Sequence, residues 1–343
     1  MKKHEIGGEF LIEHNDTVYN QYIDIVNFYG KNHILLDSGR SALKLIAKNI
    51  ERKTIYLPNY ICESVIQPFK LYGFEIYFYN INQDFQPQLN TIDLNKKIGA
   101  FLHMGYFGFD TNNNLNDIIK KLKKTGTIII EDITHTILSK NKLDFKSDYY
   151  IASLRKWIGI YDGAVLITDS EIKELKLPNN NELLKLRKVA DKQKNDYLNN
   201  MTTSKKYLDV YMEAEKTLNG LNVYSISDES KLILATTDFS KIQMIRRNNY
   251  KTLRDKLANY NSLQLKKHTV PLSFPMLTEK RNSIRKELIK EQIFCPIHWP
   301  RPKDTGENIL FDLEISIPID QRYNLNDMTN ILTKINKITG SDK

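Results

Sequence analysis

A mainly parallel α/β sheet flanked by helices, followed by a smaller α+β unit, is the architecture this sequence predicts. Short apolar runs alternate with amphipathic stretches, the beat of strands connected by helices. One apolar run, Ile128-Ile129-Ile130, ends in the carboxylates Glu131-Asp132, and open α/β sheets place ligands at that end of their strands. The 343 residues suffice for two units, at roughly 100 to 200 residues each.

The elements follow in order. Residues 34–36 read as a short strand, Asp37-Ser38-Gly39-Arg40 as a turn, and 41–50 as a helix with Leu43, Ile46, Ala47 and Ile50 on one face. Residues 54–57 open the next strand. Past Pro58-Asn59-Tyr60, a helix over about 62–71 leads through Gly73 to an alternating strand at 74–79. Strands follow at 99–103, 127–130 and 164–167. The last is reached from Lys156 through Gly159 and Asp162-Gly163, so Lys156 belongs to a loop between strands. Residues 179–218 carry long polar helices without a strand signal. The composition changes near 225–230, which divides the chain into 1–226 and 227–343. Helix, strand and helix patterns at 239–260, 268–274 and 278–292 make the second unit. Residues 340–343 read as a frayed tail.

Composition narrows the function. Hydrophobic residues at 41% and charged residues at 27% are globular proportions. The net charge of +9 arises from 50 Lys and Arg against 41 Asp and Glu, and the lysines are spread along amphipathic stretches instead of forming an arm. Such a surface attracts anionic small molecules; neither a nucleic-acid nor a membrane partner is expected. The two cysteines, Cys62 and Cys295, lack metal or disulfide spacing, so no metal is expected. No signal-peptide core opens the sequence, and a cytoplasmic protein is the expectation.

Lys156 stands 24 positions after Asp132, and this pair suggests pyridoxal chemistry. A lysine condenses with an aldehyde cofactor, while a buried carboxylate keeps the cofactor's pyridine nitrogen protonated, so that the ring withdraws electrons from a substrate carbanion. In Ser153-Leu154-Arg155-Lys156-Trp157, the amine sits beside a cation and an aromatic ring, surroundings that favour a neutral nucleophile able to carry protons afterwards. His135 can reach the cofactor's phenolic oxygen or orient Asp132; it also reads as an ordinary core histidine. Ser38-Gly39-Arg40-Ser41-Ala42 opens a helix, where free N–H groups hold a phosphate, or where Ser simply caps. His298-Trp299-Pro300-Arg301 and Arg246-Arg247 supply cations and an aromatic wall for an anionic substrate, or a solvated helix face and a buried Trp.

Taken together these segments resemble the DegT/DnrJ/StrS sugar aminotransferases, a group of fold-type-I pyridoxal-phosphate enzymes, over nearly the whole chain. Gly7-Gly8-Glu9-Phe10 is similar to the family's opening, Ser38-Gly39-Arg40-Ser41-Ala42 to its phosphate cup, and Leu57-Pro58-Asn59-Tyr60 to its Val-Pro-Ser-Tyr. Tyr106-Phe107-Gly108, Glu131-Asp132-Ile133-Thr134-His135, Ile297-His298-Trp299-Pro300 and Ile315-Ser316-Ile317-Pro318 resemble further family segments. The resemblance implies that Asp132 binds the pyridine nitrogen, His135 lies near the phenolic oxygen and Lys156 carries the cofactor. It places Ser38, Gly39, Arg40, Ser41 and Ser153 around the phosphate, with Tyr60, Cys62 and Tyr106 around the ring. His298, Trp299 and Arg301 fall on the substrate side. It implies an aminotransferase acting between a small-molecule amino donor, glutamate being the first candidate, and a keto sugar or related carbonyl acceptor, as a homodimer. Two positions depart from the pattern. Ile151 stands where the family has a phosphate-binding serine. Cys62 stands where it has a stacking aromatic ring, leaving the stack lost or supplied by Tyr60 or Tyr106. Other pyridoxal reactions, dehydration or aldol cleavage, share the same residues, and a regulator that keeps the pocket without turnover is a further alternative.

Overall fold

Seven strands form the central sheet of the computed structural model, which describes residues 3–13, 15–140, 143–144, 146–172 and 176–340. After the two-residue strand β1 (Ile6–Gly7), they are β2 (Asn32–Leu36), β3 (Thr54–Pro58), β4 (Glu75–Tyr79), β5 (Ala100–Met104), β6 (Ile128–Asp132), β7 (Tyr149–Ser153) and β8 (Ala164–Thr168). Their spatial order is β2-β8-β7-β6-β5-β3-β4. Only β8 runs against its neighbours, pairing antiparallel with β7 and β2 while β3 to β7 pair in parallel. The sheet is therefore mainly parallel. Every residue of β5 and β8 is buried, as expected of strands covered on both faces.

Four helices follow the early strands: α1 (Gln21–Tyr29), α2 (Gly39–Asn49), α3 (Glu63–Leu71) and α4 (Asn116–Lys124). The spacing of Leu43, Ile46 and Ala47 turns one face of α2 inward, where it meets Val65, Ile66 and Phe69 of α3 over Leu57, Leu102 and Ile130 of the sheet. Next, α5 (Asn181–Leu198) and α6 (Tyr207–Lys216) pack on each other. The chain ends with α7 (Asp228–Ala235), α8 (Phe239–Leu257), β9 (Phe274–Leu277), α9 (Arg281–Lys290), β10 (Ile293–Phe294), α10 (Leu310–Leu313), β11 (Glu314–Ile317) and α11 (Leu325–Thr339). In this part β9 pairs antiparallel with β11. Tyr250, Leu253, Ile284, Leu288, Met328 and Ile331 share one core with Phe274, Ile315 and, across the molecule, Phe101 and Ile129 of the sheet. Strand β1 pairs in parallel with β10, tying the start of the chain to its C-terminal part.

One expected strand shifts and one strand is new. The strand placed at 268–274 begins only at Phe274, because β11 sets the pairing; Leu272 instead donates its N–H to the Phe107 carbonyl at 2.9 Å, and Pro271 has no N–H to offer. Strand β7 carries no expectation, yet it sits in the middle of the sheet. Of the expected tail, Gly340 closes α11 in the left-handed conformation, φ 72°, with its N–H on the Asn336 carbonyl; 341–343 lie outside the described residues. Among the described residues no helix is long and apolar enough to cross a membrane.

Candidate active site

The C-terminal ends of β2, β6 and β7 converge on one cavity of about 120 Å³. Strand β6 delivers Asp132, β7 delivers Ser153, and the short 3-10 turn Leu154–Lys156 sets Lys156 at the rim. Ser38, Gly39 and Arg40 come from the start of α2, and Cys62 from the start of α3. His135, Trp299, Arg155 and Glu215 complete the wall together with Ile151.

Thr134 organises the strand ends. Its N–H donates to Asp132 Oδ1 at 2.8 Å, its hydroxyl accepts the Ser153 N–H at 3.1 Å, and its carbonyl accepts the Trp157 indole N–H at 2.7 Å. Behind Trp157 lies the buried guanidinium of Arg246, 4.7 Å from the ring centroid, which donates to the Leu272 carbonyl at 2.7 Å. The residues flanking Lys156 are thus fixed, while Lys156 itself is exposed. Arg155 does not lean on the amine; its Nη1 donates to Glu215 Oε1 at 2.7 Å.

The carboxylate and the imidazole are tuned by burial. Asp132 is 5% exposed, and desolvation raises its pKa above the ordinary aspartate value, opposed by the hydrogen bonds of Thr134 and by the Lys156 charge. Among the described residues it forms no salt bridge. His135 is pulled well below the usual imidazole range by desolvation first, then by His298 and Lys156, so it is neutral. Its Nδ1 accepts the Phe107 N–H at 3.2 Å, which leaves the ring proton on Nε2. The Trp299 ring stacks on His135, with centroids 5.5 Å apart and an interplanar angle of 27°. His298 lies beneath, its Nδ1 2.8 Å from the Ser316 hydroxyl, which donates to Glu314 Oε1 at 2.5 Å. Burial holds His298 at about 3 and Glu314 at about 8.

Other expected site residues are engaged within the protein or stand outside the cavity. Ser38 and Ser41 both donate their hydroxyls to Asp37 Oδ1, at 3.0 and 2.6 Å, and Ser38 caps α2 by accepting the Ser41 N–H at 3.2 Å. Asn180 donates to the other Asp37 oxygen at 3.2 Å. An internal carboxylate, which sequence reading did not single out, therefore takes the hydroxyls expected for a phosphate. Tyr60 and Tyr106 do not line the cavity; the Tyr106 hydroxyl donates to the Tyr60 carbonyl at 2.6 Å, and Tyr60 packs behind Trp299 and Phe311 at 5.2 and 5.0 Å. Arg301 pairs with Asp312 at 2.6 Å on the surface, and Arg247 donates to the Lys266 carbonyl at 2.8 Å. Among the described residues no group of three or more His, Cys, Asp or Glu could hold a metal ion.

No family model and no curated protein matches the sequence. Solved structures do match the fold. A DegT DnrJ EryC1 StrS aminotransferase from Brucella abortus superposes with a TM-score of 0.63 at 13% identity, covering 94% of this chain and 89% of that one. Spr1654 from Streptococcus pneumoniae, in its PLP form, gives 0.65 at 13% identity over 93% and 90%. Helicobacter pylori PseC, an aminotransferase involved in the biosynthesis of pseudoaminic acid, gives 0.64 at 15% identity over 93% and 90%. At these identities the likeness establishes architecture: the chain is built on the α/β fold, with its mostly parallel sheet, that these aminotransferases share.

Proposed function

We propose that this chain belongs with the pyridoxal-phosphate sugar aminotransferases and moves an amino group from an amino acid to a keto sugar carried on a nucleotide. The observation that carries this reading is a buried carboxylate, Asp132, without a salt-bridge partner among the described residues, facing the same cavity as the amine of Lys156. A buried carboxylate calls for a cation. A pyridinium nitrogen is such a cation, so the residues fit the cofactor.

Bound pyridoxal phosphate supplies an aldehyde that condenses with amines and a ring that withdraws electrons from the bond being broken. The chain's own groups do the rest. Lys156 Nζ would hold the cofactor through its aldehyde carbon and, as a free amine, would carry the proton from the substrate's α-carbon to that carbon, general acid and base work by one group. Asp132 would hold the ring nitrogen and, as a carboxylate, would keep it protonated. His135, with its proton on Nε2, would donate to the phenolic oxygen, and the Phe107 N–H on Nδ1 and the stacked Trp299 fix its ring. The basic surface, +9 overall, favours anionic nucleotide-linked acceptors. A homodimer in the cytoplasm completes the reading.

The test is optical. Protein reconstituted with pyridoxal phosphate is expected to show a visible absorbance band that Lys156→Ala abolishes, and glutamate is expected to bleach the wild-type band. A colourless wild type overturns the cofactor assignment. A band that persists across a panel of amino donors points instead to a cofactor-holding regulator. Keto nucleotide-sugars added after glutamate should restore the colour.

A further inference from the structure

Beside the cavity, three arginines share one carboxylate. Arg40 Nη1 donates to Glu215 Oε2 at 3.1 Å, Arg155 Nη1 to Oε1 at 2.7 Å, and Arg187 Nη2 also to Oε1. Arg187 turns its other arm to Glu9 at 3.3 Å. The side chains of Arg187, Arg155 and Arg40 are 5%, 15% and 18% exposed. The Nε atoms of all three are buried without a hydrogen-bond partner. Three positive charges thus meet two negative ones, and donors remain unspent. An excess of buried positive charge beside a cavity calls for an explanation.

Position supplies one. Arg40, Arg155 and Glu215 line the cavity together with Ser38, Gly39 and Lys156, where the helix α2 begins. The hydroxyls of Ser38 and Ser41 are engaged by Asp37, and Ile151 offers no hydroxyl at all. A phosphate entering here meets Asp37 and Glu215, two like charges, and the start of α2 alone does not offset them. It needs cations.

We propose that Arg40 and Arg155, aligned by Glu215, bind the cofactor's phosphate in place of hydroxyl groups. The assignment rests on the pyridoxal reading above. Glu215 holds Nη1 of each guanidinium, which leaves the Nη2 of each for phosphate oxygens, an arrangement suited to a group carrying close to two negative charges near neutral pH. Glu215 is a positioning residue. Arg187 and Glu9 hold it in turn from the far side.

The experiment compares two ligands that differ only in the phosphate. Apo-protein is titrated with pyridoxal phosphate and with pyridoxal, read by visible absorbance and by thermal midpoint. The wild type should prefer the phosphorylated form strongly. Arg155→Met and, separately, the more exposed Arg40→Met should each cut that preference by about tenfold to a hundredfold, the size of a lost charge-assisted hydrogen bond, while pyridoxal itself binds as before. Inorganic phosphate should raise the thermal midpoint of the wild type and not of Arg155→Met. Equal weakening of both ligands, or a preference kept in both variants, overturns the assignment while leaving the pyridoxal reading intact. A wild type that binds neither ligand overturns that reading and this assignment with it.

Discussion

Glu314 is a carboxyl group buried to 1% exposure, and desolvation raises its pKa to about 8 despite hydrogen bonds from the His298 N–H and the Ser316 hydroxyl. Because its folded pKa lies above the unfolded one, the folded state binds the extra proton between roughly pH 4.5 and 8. Stability therefore falls as pH rises through that window and levels off above it. Glu314→Gln should flatten this part of the profile, removing a slope worth on the order of 1.4 kcal/mol per pKa unit; urea midpoints at several pH values check it, and an unchanged slope refutes it. Residues of this kind are hard to read in a sequence. Lys156, Asp132 and His135 were legible because each sits within a few positions of an apolar strand whose end is marked locally. Glu215, Arg187 and Glu9 were not, since they reach one another across gaps of 28 and 178 positions. Tyr60 and Tyr106 were placed on the ring by motif alone, but Trp299 from the other end of the chain fills the position in front of them.

At the scale of elements, the loop that follows Lys156 is pinned by Asp162. Its carboxylate accepts the Ser227 N–H at 2.9 Å and the Ser227 hydroxyl at 2.6 Å, at the cap of α7. Asp162→Ala leaves a buried N–H unpaired, which should cost about 1 to 3 kcal/mol. Faster amide exchange in the 157–163 segment would locate the effect; protection equal to the wild type would contradict it. The parallel strands and α2 were readable because period two and period 3.6 differ visibly over five to eleven residues. Strand β7 escaped because a polar stretch precedes it and its register comes from β6 and β8, not from its own pattern.

Over the whole molecule, the first residues bind both parts of the chain. Strand β1 pairs with β10, the Gly7 N–H donates to the Tyr323 hydroxyl at 2.6 Å, Glu9 reaches Arg187, and the Ile12 N–H reaches Asp191 at 3.0 Å. Leu11 runs so close to Gly159 that a methyl group there would come within 2.1 Å of the Leu11 carbonyl oxygen. Removing residues 1–12 should lower the thermal midpoint, by about 1 to 2 °C for each kcal/mol lost, and weaken pyridoxal phosphate binding through Glu9 and Arg187. A truncated protein with wild-type midpoint and affinity would sink this account.

The register of β2 against β8 joins Asn32 to Thr168 and Leu36 to Ala164. On the ribosome, then, the first strand of the sheet waits for its partner until nearly half the polypeptide has emerged. The two sides of the cavity, Ser38 to Arg40 on one and Lys156 on the other, meet only when that pairing closes. Until then β2 has no strand partner on either side, a liability for mispairing in a nascent chain, and a long-range closure of this kind belongs to slow-folding topologies.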